Sequence, residues 1–582
     1  MHILRDFMNK YQQFTVLILI SLSNFVSATV VTYPALTNNL YKSTRYTVSV
    51  NQSGVNSDSY VYNSVNTFSE TTGNNRSLMT DENNFSSFSF DGSVTVTITL
   101  PLRTTAITAV DVLPLNKGIT ATWSGNTITI PIAKTGNYYV RINGEEKKPL
   151  FLFANPLEVN APLASGNANT EYFTPSTFVS NFVSTKTIWY FAPGVYDAGS
   201  VGGTLQNIPS GVTVYLAGGA YVKGLINAAA SSTSLTVKGR GILSGISVAN
   251  VPDLWGNFLI GGGSSNLTVL NLEGITLTDP PSQLCLTYKS GSVIDNVKLF
   301  GWYVMTDGLT LGQTSTVKNC FLKTNDDPLK PMNSNSTYKD NVVWVQVFGS
   351  ALQFSWNTTA KISNILVDGL DIIGFDKGNL TGTSNNASVI SFQNLNGSTF
   401  SNNTVQNIRS DVKVYKIFNV QIKSTQTGFT QGLGSIASMT FKNLSFPMGQ
   451  KYLSTFDGNG TQTGDINNIT FQDVVVVGNL LTSSNVVTYI TISGLTSNFL
   501  YTTSILTNFS DTYWNSAKFQ CVAHSNRIFI NDLNIGDEIK IYTMDGKFIT
   551  SQKAVSQTMS IASGKGAFIV RNDNQAAKII VY

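Results

Sequence analysis

The residues best equipped for chemistry are three aspartates in two short runs, Thr306-Asp307-Gly308 and Asn325-Asp326-Asp327-Pro328-Leu329-Lys330, with Asp307 and Asp326 nineteen residues apart. Hydrolysis of a glycosidic bond needs two carboxyl groups in different protonation states: one donates a proton to the leaving oxygen, the other activates water or attacks carbon. Crowding three aspartates raises the pKa of at least one by like-charge repulsion and so keeps an acid protonated near neutrality. Taken alone, an Asp-Asp pair in a loop is a solvated turn or a weak calcium site, and Asp-Gly is an ordinary turn signal. The trio acquires meaning if the fold stacks its members on one wall.

A repeat in the sequence provides such a wall. Short β-rich segments headed by asparagine recur at Asn296-Val-Lys-Leu-Phe, Asn319-Cys-Phe-Leu, Asn341-Val-Val-Trp-Val and Asn364-Ile-Leu-Val, at spacings of 23, 22 and 23 residues. A period of this size, with β-branched and aromatic residues and Gly or Asn at the corners, marks a β-solenoid. Leucine-rich repeats need denser leucines and propeller blades need periods near ~40 residues, so a right-handed parallel β-helix is expected. Equivalent asparagines are expected to stack as an amide ladder inside the coils, satisfying groups that would be costly to bury. Coils lie about 4.8 Å apart, which puts Asp307 on one and Asp326 and Asp327 on the next. The expected carboxyl separation is the ~6.5–9.5 Å that an inverting glycosidase leaves for its water. Asp307 is eleven residues past its coil asparagine and Asp326 only seven past its own, so turn lengths have to absorb the difference.

The remaining chain reads as all-β. Residues 29–157 carry short alternating strands such as Val94-Thr-Val-Thr-Ile-Thr-Leu100, and a Gly125-Asn126 turn joins two runs as a hairpin, so an N-terminal β-sandwich is expected there. The β-helix is placed at 158–508, and a small C-terminal β-sandwich at 518–582. Arg5 and Lys10 precede the apolar run Phe14–Leu22, with a small-residue site at Val26-Ser27-Ala28, so residues 1–28 read as a signal peptide and the protein as secreted or displayed at the cell surface. That run is too short to span a bilayer stably, and no transmembrane segment is expected.

A net charge of +4 with 12% charged residues and no concentrated basic stripe excludes a nucleic-acid partner and suits a neutral polysaccharide, bound by a monomer. Cys285, Cys320 and Cys521 lack metal-ligand spacing, and no metal or cofactor is implied; one bridge between Cys285 and Cys320 is left open. Sugar rings stack their C–H faces on aromatics. Trp302 and Tyr303 precede Asp307, while Trp344, Gln353 and Trp356 lie on the next coil. Each tryptophan is as readily a core residue as a subsite, because half of any strand faces inward. Gln353 and Trp356 are favoured as substrate contacts, with Trp302 beside them and Lys330 holding a carboxylate or a glucose hydroxyl.

The middle of the chain, roughly residues 30–500, resembles glycoside hydrolase family 49, the dextranases and isopullulanases. The resemblance is carried by Tyr138-Tyr-Val-Arg-Ile-Asn143 running to Pro149-Leu-Phe-Leu-Phe-Ala-Asn-Pro156, then Ala192-Pro-Gly-Val-Tyr196, Tyr221-Val-Lys-Gly224, Gly274-Ile-Thr-Leu-Thr-Asp-Pro-Pro281 and the two aspartate motifs. It implies a β-sandwich joined to a parallel β-helix, and hydrolysis of α-glucans such as dextran with inversion. Asp326 would be the general acid, and Asp307 and Asp327 would position and activate water. Residues 518–582 are similar to the sorting domains of type IX secretion in Bacteroidetes, through Tyr542-Thr-Met-Asp-Gly-Lys547 and the final Lys578-Ile-Ile-Val.

Three alternatives remain open. An isopullulanase would act on pullulan instead of dextran. A polygalacturonase-like pectin hydrolase shares the β-helix and the aspartates, but its Gly-His-Gly motif is replaced here by Phe348-Gly349-Ser350-Ala351, and the chain's histidines are His2 and His524. A non-catalytic glycan-binding surface protein would use the solenoid as a rigid display. The C-terminal assignment has its own test: deleting residues 518–582 should leave glucan cleavage intact in purified protein and abolish surface delivery or release in a Bacteroidetes host. A truncated protein that unfolds, or that still reaches the surface, contradicts it.

Overall fold

In the computed structural model, which describes residues 29–503 and 520–581, the repeat seen in the sequence becomes a parallel β-helix. The described set leaves out 68–75, 165–166, 200–202, 249–258, 262–265, 282–284, 287–289, 304, 357, 377–387, 394, 423–432, 459–464, 525–526, 532, 544–546, 557, 563–565 and 573–574. The signal-peptide reading of residues 1–28 lies outside the described residues.

Each coil pairs in parallel with the next at matched residues: Lys298↔Phe321 is followed by Phe321↔Val342, and Asp295↔Lys318 by Lys318↔Lys339. A long sheet runs the length of the solenoid, and a second parallel sheet stacks Leu352–Ser355, Ile390–Phe392, Phe418–Gln421, Ser454–Asp457 and Ile490–Ser493. Inward residues fill the coil with aliphatic and aromatic stacks, among them Phe354 on Phe392 at 4.5 Å and Phe441 on Phe471 at 5.6 Å.

The asparagine ladder lies at the corners of the coils and not inside them, which corrects the expectation. Register places Asn296, Asn319, Asp340, Gly369, Asn407, Asn443 and Asp473 in one column, and all have φ between 52° and 89°. A left-handed corner costs an ordinary L residue about 1–2 kcal/mol, and Gly, Asn and Asp tolerate it best. The corner amides then bond along the axis: Asn443 Nδ2 to Asn407 Oδ1 at 2.5 Å, and Asn407 Nδ2 to Asp368 Oδ1 at 2.5 Å. Asn364 occupies a second left-handed corner, where its Nδ2 reaches Asn335 Oδ1 at 3.1 Å. Asn341 is one residue past a corner and points inward, accepting the Cys320 amide at 3.0 Å.

N-terminal to the helix, a six-stranded and a five-stranded sheet enclose their own core. The run Val94–Thr99 alternates as its sequence demands, with Val94, Val96 and Ile98 buried between partly exposed threonines. The outer face of this sandwich does not meet solvent. Phe85, Tyr139, Phe151 and Phe153 pack on Phe300, Phe321 and Trp344 of the coils, with Phe151 and Phe321 ring centroids 4.9 Å apart. Two lysines are fully buried in this contact. Lys298 donates to Asn155 Oδ1 and, at 2.8 Å, to Asn296 Oδ1; burial pushes its pKa well down. Lys323 donates to Thr80 Oγ1 at 2.9 Å and Gln346 Oε1 at 3.0 Å.

After the last coil, a three-stranded and a four-stranded antiparallel sheet enclose a separate small core that includes Ile528, Ile530, Ile539 and Ile541. Cys320 is a buried free thiol, so the bridge left open in the sequence is not formed. Among the described residues no helix is long and apolar enough to cross a membrane.

The corner column makes a stability prediction. Asn407→Ala forfeits both amide bonds and puts a Cβ-bearing residue without a compensating side chain at φ +59°, so it should cost about 2–3 kcal/mol. Asn407→Gly should recover the conformational part. Urea unfolding of both variants checks this, and an unshifted midpoint for the alanine variant would contradict it.

Candidate active site

The two aspartate runs meet because their coils stack through the leucines that follow them. Leu309, Leu329 and Leu352 form successive parallel bridges, with Lys330 N donating to Leu309 O at 3.0 Å and Gly308 N to Asp327 O at 3.0 Å. Asp307 and Asp327 therefore stand at equivalent places, each two residues before its bridged leucine. Gly308 is a close-approach residue, since a Cβ there would lie 2.2 Å from Pro328 O. On the following coil Gly349, at φ +76°, presses its Cα against the Asp326–Asp327 peptide, where a Cβ would sit 2.4 Å from Asp327 N.

One carboxylate oxygen from each of Asp307, Asp326 and Asp327 lies within 4.8 Å of the others. This is tighter than the gap expected from coil spacing, because Lys330 draws two of the three together. Its ammonium contacts Asp307 Oδ1 and lies 3.4 Å from Asp327 Oδ2, itself largely buried. Burial opposes the charge on Lys330, and the three carboxylates outweigh it, holding its pKa above the ordinary value. Asp327 Oδ1 also accepts the Ser350 amide at 2.6 Å. Asp307 and Asp327 are buried, whereas Asp326 is half-buried. Asp326 Oδ1 accepts the Asp327 amide at 2.9 Å. Its pKa is raised well above the usual carboxylate range, first by burial and then by the charges of Asp307 and Asp327, with Lys330 and the Asp327 amide partly offsetting the rise. A carboxyl with a raised pKa thus stands beside two carboxylates that share a fixed cation. Three carboxylates this close also resemble a metal site, but Lys330 already supplies positive charge to two of them.

The aspartate loop is tied to its neighbours through Asn325, which is fully buried. Asn325 N donates to Thr306 Oγ1 at 3.2 Å, its Nδ2 to Trp302 O at 2.8 Å, and its Oδ1 accepts Val347 N at 3.1 Å. One side chain locks three consecutive coils around the acids.

The sequence-predicted contacts divide. Lys330 belongs to the aspartate cluster. Trp356 is 38% exposed at the end of the strand one coil onward and is available to a ligand. Gln353 follows Lys330 on the same outward face, since its amide donates to Leu329 O at 3.0 Å, but its side chain is buried and its Nε2 is bound to Ser355 O. Trp302 is a structural residue and not a subsite: it is 1% exposed, its Nε1 donates to Ser64 Oγ at 3.1 Å and its ring faces Lys323 Nζ at 5.0 Å. Trp344 is likewise buried, with Nε1 bonded to Asp376 Oδ1 at 2.8 Å. Both corrections have one cause, the sandwich that covers these coils.

Comparisons with known proteins agree with this architecture. No protein-family model matches the chain. A dextranase of Arthrobacter globiformis is 34% identical over 216 residues, 33% of each chain. An isopullulanase of Aspergillus niger is 28% identical over 285 residues, 42% of this chain and 49% of that protein. The solved structure of Dex49A from Penicillium minioluteum superposes with a TM-score of 0.59 at 19% identity, covering 81% of this chain and 96% of that one. The chain is thus similar in part of its sequence to dextranases and an isopullulanase, and in fold to Dex49A. The matches to the two curated relatives span about a third to a half of their lengths.

Sequence reasoning missed Lys323, Asn325 and Ser350. Strand parity was a usable signal for Lys323: Leu322 faces the coil interior, so Lys323 faces out. What covers it, with Trp302 and Trp344 rings at 5.0 and 5.1 Å from its ammonium, depends on contacts far apart in sequence.

The raised pKa of Asp326 sets a sign for stability. The folded state holds a proton on Asp326 that the unfolded chain releases near the ordinary value of about 3.9, so this group's contribution is intact below that pH and is lost as pH rises through the folded pKa. Asp326→Asn should therefore melt higher than wild type at neutral and alkaline pH, and the two curves should converge in acid. Calorimetric melting across pH checks this; a variant less stable at pH 8 than wild type would contradict it.

Proposed function

We propose that the protein is a glycoside hydrolase cleaving α-1,6-glucosidic bonds of dextran with inversion, Asp326 acting as general acid and Asp307 and Asp327 holding and activating water. The observation that carries the reading is the arrangement of one half-buried carboxyl, its pKa raised by burial and by its neighbours' charges, beside two buried carboxylates bound to Lys330. Asp326 donates its proton to the glycosidic oxygen as the bond to the anomeric carbon breaks. A water held by Asp307 and Asp327 loses a proton to that pair and adds to the carbon from the opposite face.

By separation alone, carboxyls this close match the ~5–5.5 Å of a retaining pair. Depth argues the other way. A retaining enzyme needs a second carboxylate that reaches the anomeric carbon, and Asp307 and Asp327 are buried and tied to Lys330 and Ser350 N. A water bridges that depth. The relatives named dextranase and isopullulanase support an α-glucan, and pullulan is the second reading because of the latter. Pectate fits less well: Gly349 brings no side chain to Asp326, and the cation at the trio is already paired with aspartates. No cofactor enters the scheme. We further propose that the enzyme is exported and that residues 518–582 serve its delivery.

Two measurements on one preparation test the reading. Asp326→Asn should lose at least about 10²-fold in turnover on dextran while staying folded; near-wild-type turnover removes the assignment and favours a binding protein if wild type is equally inert. Proton NMR of fresh wild-type digests should show β-anomeric isomalto-oligosaccharides before mutarotation. An initial α-anomer excludes inversion, and activity confined to pullulan shifts the substrate.

A further inference from the structure

Beside the acids lies a small apolar cluster built from three separate parts of the chain. Met79, Trp302 and Val347 form its buried core, and Leu78, Tyr303 and Phe348 pack on them while remaining half-exposed. Leu78 and Met79 come from the N-terminal sandwich, at and just after the short turn Arg76–Leu78. Tyr303 is on the coil of Asp307. Phe348 immediately precedes Gly349, the residue pressed on the Asp326–Asp327 peptide.

Each aromatic is fixed to the aspartate loop and not merely near it. Tyr303 O accepts Thr306 Oγ1 at 2.6 Å, and that hydroxyl in turn accepts the Asn325 amide at 3.2 Å. Val347 N, one residue before Phe348, donates to Asn325 Oδ1 at 3.1 Å. From the other side the Tyr303 hydroxyl meets Thr67 Oγ1 of the sandwich at 2.9 Å. Two half-exposed rings thus flank a half-buried acid and are braced through Asn325 below and the sandwich above. Trp302, one of the aromatics expected to meet sugar, is the buried support of this cluster.

We propose that Tyr303 and Phe348, with Leu78 at their edge, form a pyranose-binding platform adjoining Asp326, so that the sandwich and the β-helix together make one sugar subsite. The platform rests on the glycosidase reading above. Its ligand chemistry is the flat C–H face of a neutral hexose: aromatic carbon offers that face stacking area, and the rim groups Thr67 and Asp326 are polar. The six side chains of the cluster are themselves uncharged, which suits the apolar face of a neutral sugar better than a carboxylate.

The test uses the full chain carrying Asp326→Asn, so that ligand is bound and not consumed, with isomaltotriose and isomaltohexaose as probes and galacturonate trimer as the charged comparison. Calorimetry should show Phe348→Leu and Tyr303→Leu each weakening isomalto-oligosaccharide binding about three- to tenfold. Phe348→Trp, which keeps an aromatic face, should bind within about twofold of the parent. Sugar C–H proton resonances should move upfield in the bound parent and lose that shift in the leucine variants, a readout that a packing role alone would not move. Unchanged affinity and unchanged shifts in folded leucine variants overturn the platform while leaving the hydrolase reading in place. A parent that binds none of the neutral oligosaccharides overturns both.

Discussion

Everything at the site depends on one buried ion, the ammonium of Lys330 between Asp307 and Asp327. Three carboxylates with oxygens within 4.8 Å of one another repel strongly: at an effective dielectric near ~20, each fully charged pair costs roughly 3–4 kcal/mol. Removing water from the two buried members adds a further penalty. Lys330 offsets both and leaves Asp326 as the group that meets repulsion and desolvation with no comparable partner. That asymmetry raises the pKa of one aspartate and ties the other two to a cation, as the proposed mechanism needs. A fourth charge, placed off-centre, sorts three chemically identical side chains into two roles.

Holding such a cluster together requires a backbone that cannot relax away from it. The β-helix provides one because each coil is constrained along its length by parallel pairing and at its corners by left-handed residues that few side chains accept. Close approach does the rest. Gly308 and Gly349 let adjacent coils come nearer than a Cβ would allow, and both contacts land on the peptides of Asp326, Asp327 and Pro328. The repulsion at the trio is therefore balanced by stacking terms spread over several coils.

The period, the β-helix and the convergence of two aspartate runs were legible in the sequence because they are local: asparagine spacing, strand alternation and the Asp-Gly and Asp-Asp pairs are all read within one or two coils. Lys330 was legible only as a candidate. Its position three residues after Asp327 suggested proximity, but its bridge to Asp307 needs the register Leu309↔Leu329. The asparagine ladder was read correctly as a recurring column and placed on the wrong side of the backbone, because positive φ cannot be seen in a sequence that merely shows Asn. Trp302 was misjudged for a different reason. Parity says which face of a strand a residue occupies, and on a solenoid wall the outward face is solvent only where nothing is docked.

What is docked here is the sandwich, and its contact is of an unusual kind for a separable module. Beneath an aromatic layer it buries two lysines, and Lys323 donates one hydrogen bond to each side, to Thr80 Oγ1 on the sandwich and to Gln346 Oε1 on the coils. Removing an acceptor from a buried ammonium is costly, commonly by several kcal/mol. Lys323 also lies two residues before Asn325, the residue that fixes the aspartate loop. Undocking the sandwich would take the Thr80 acceptor from that ammonium at the base of the loop. The N-terminal sheets are better regarded as a back wall for the coils that carry the aspartate cluster than as an appended domain, and this constraint accounts for outward-facing residues such as Trp302, Lys323 and Trp344 having the burial of a core.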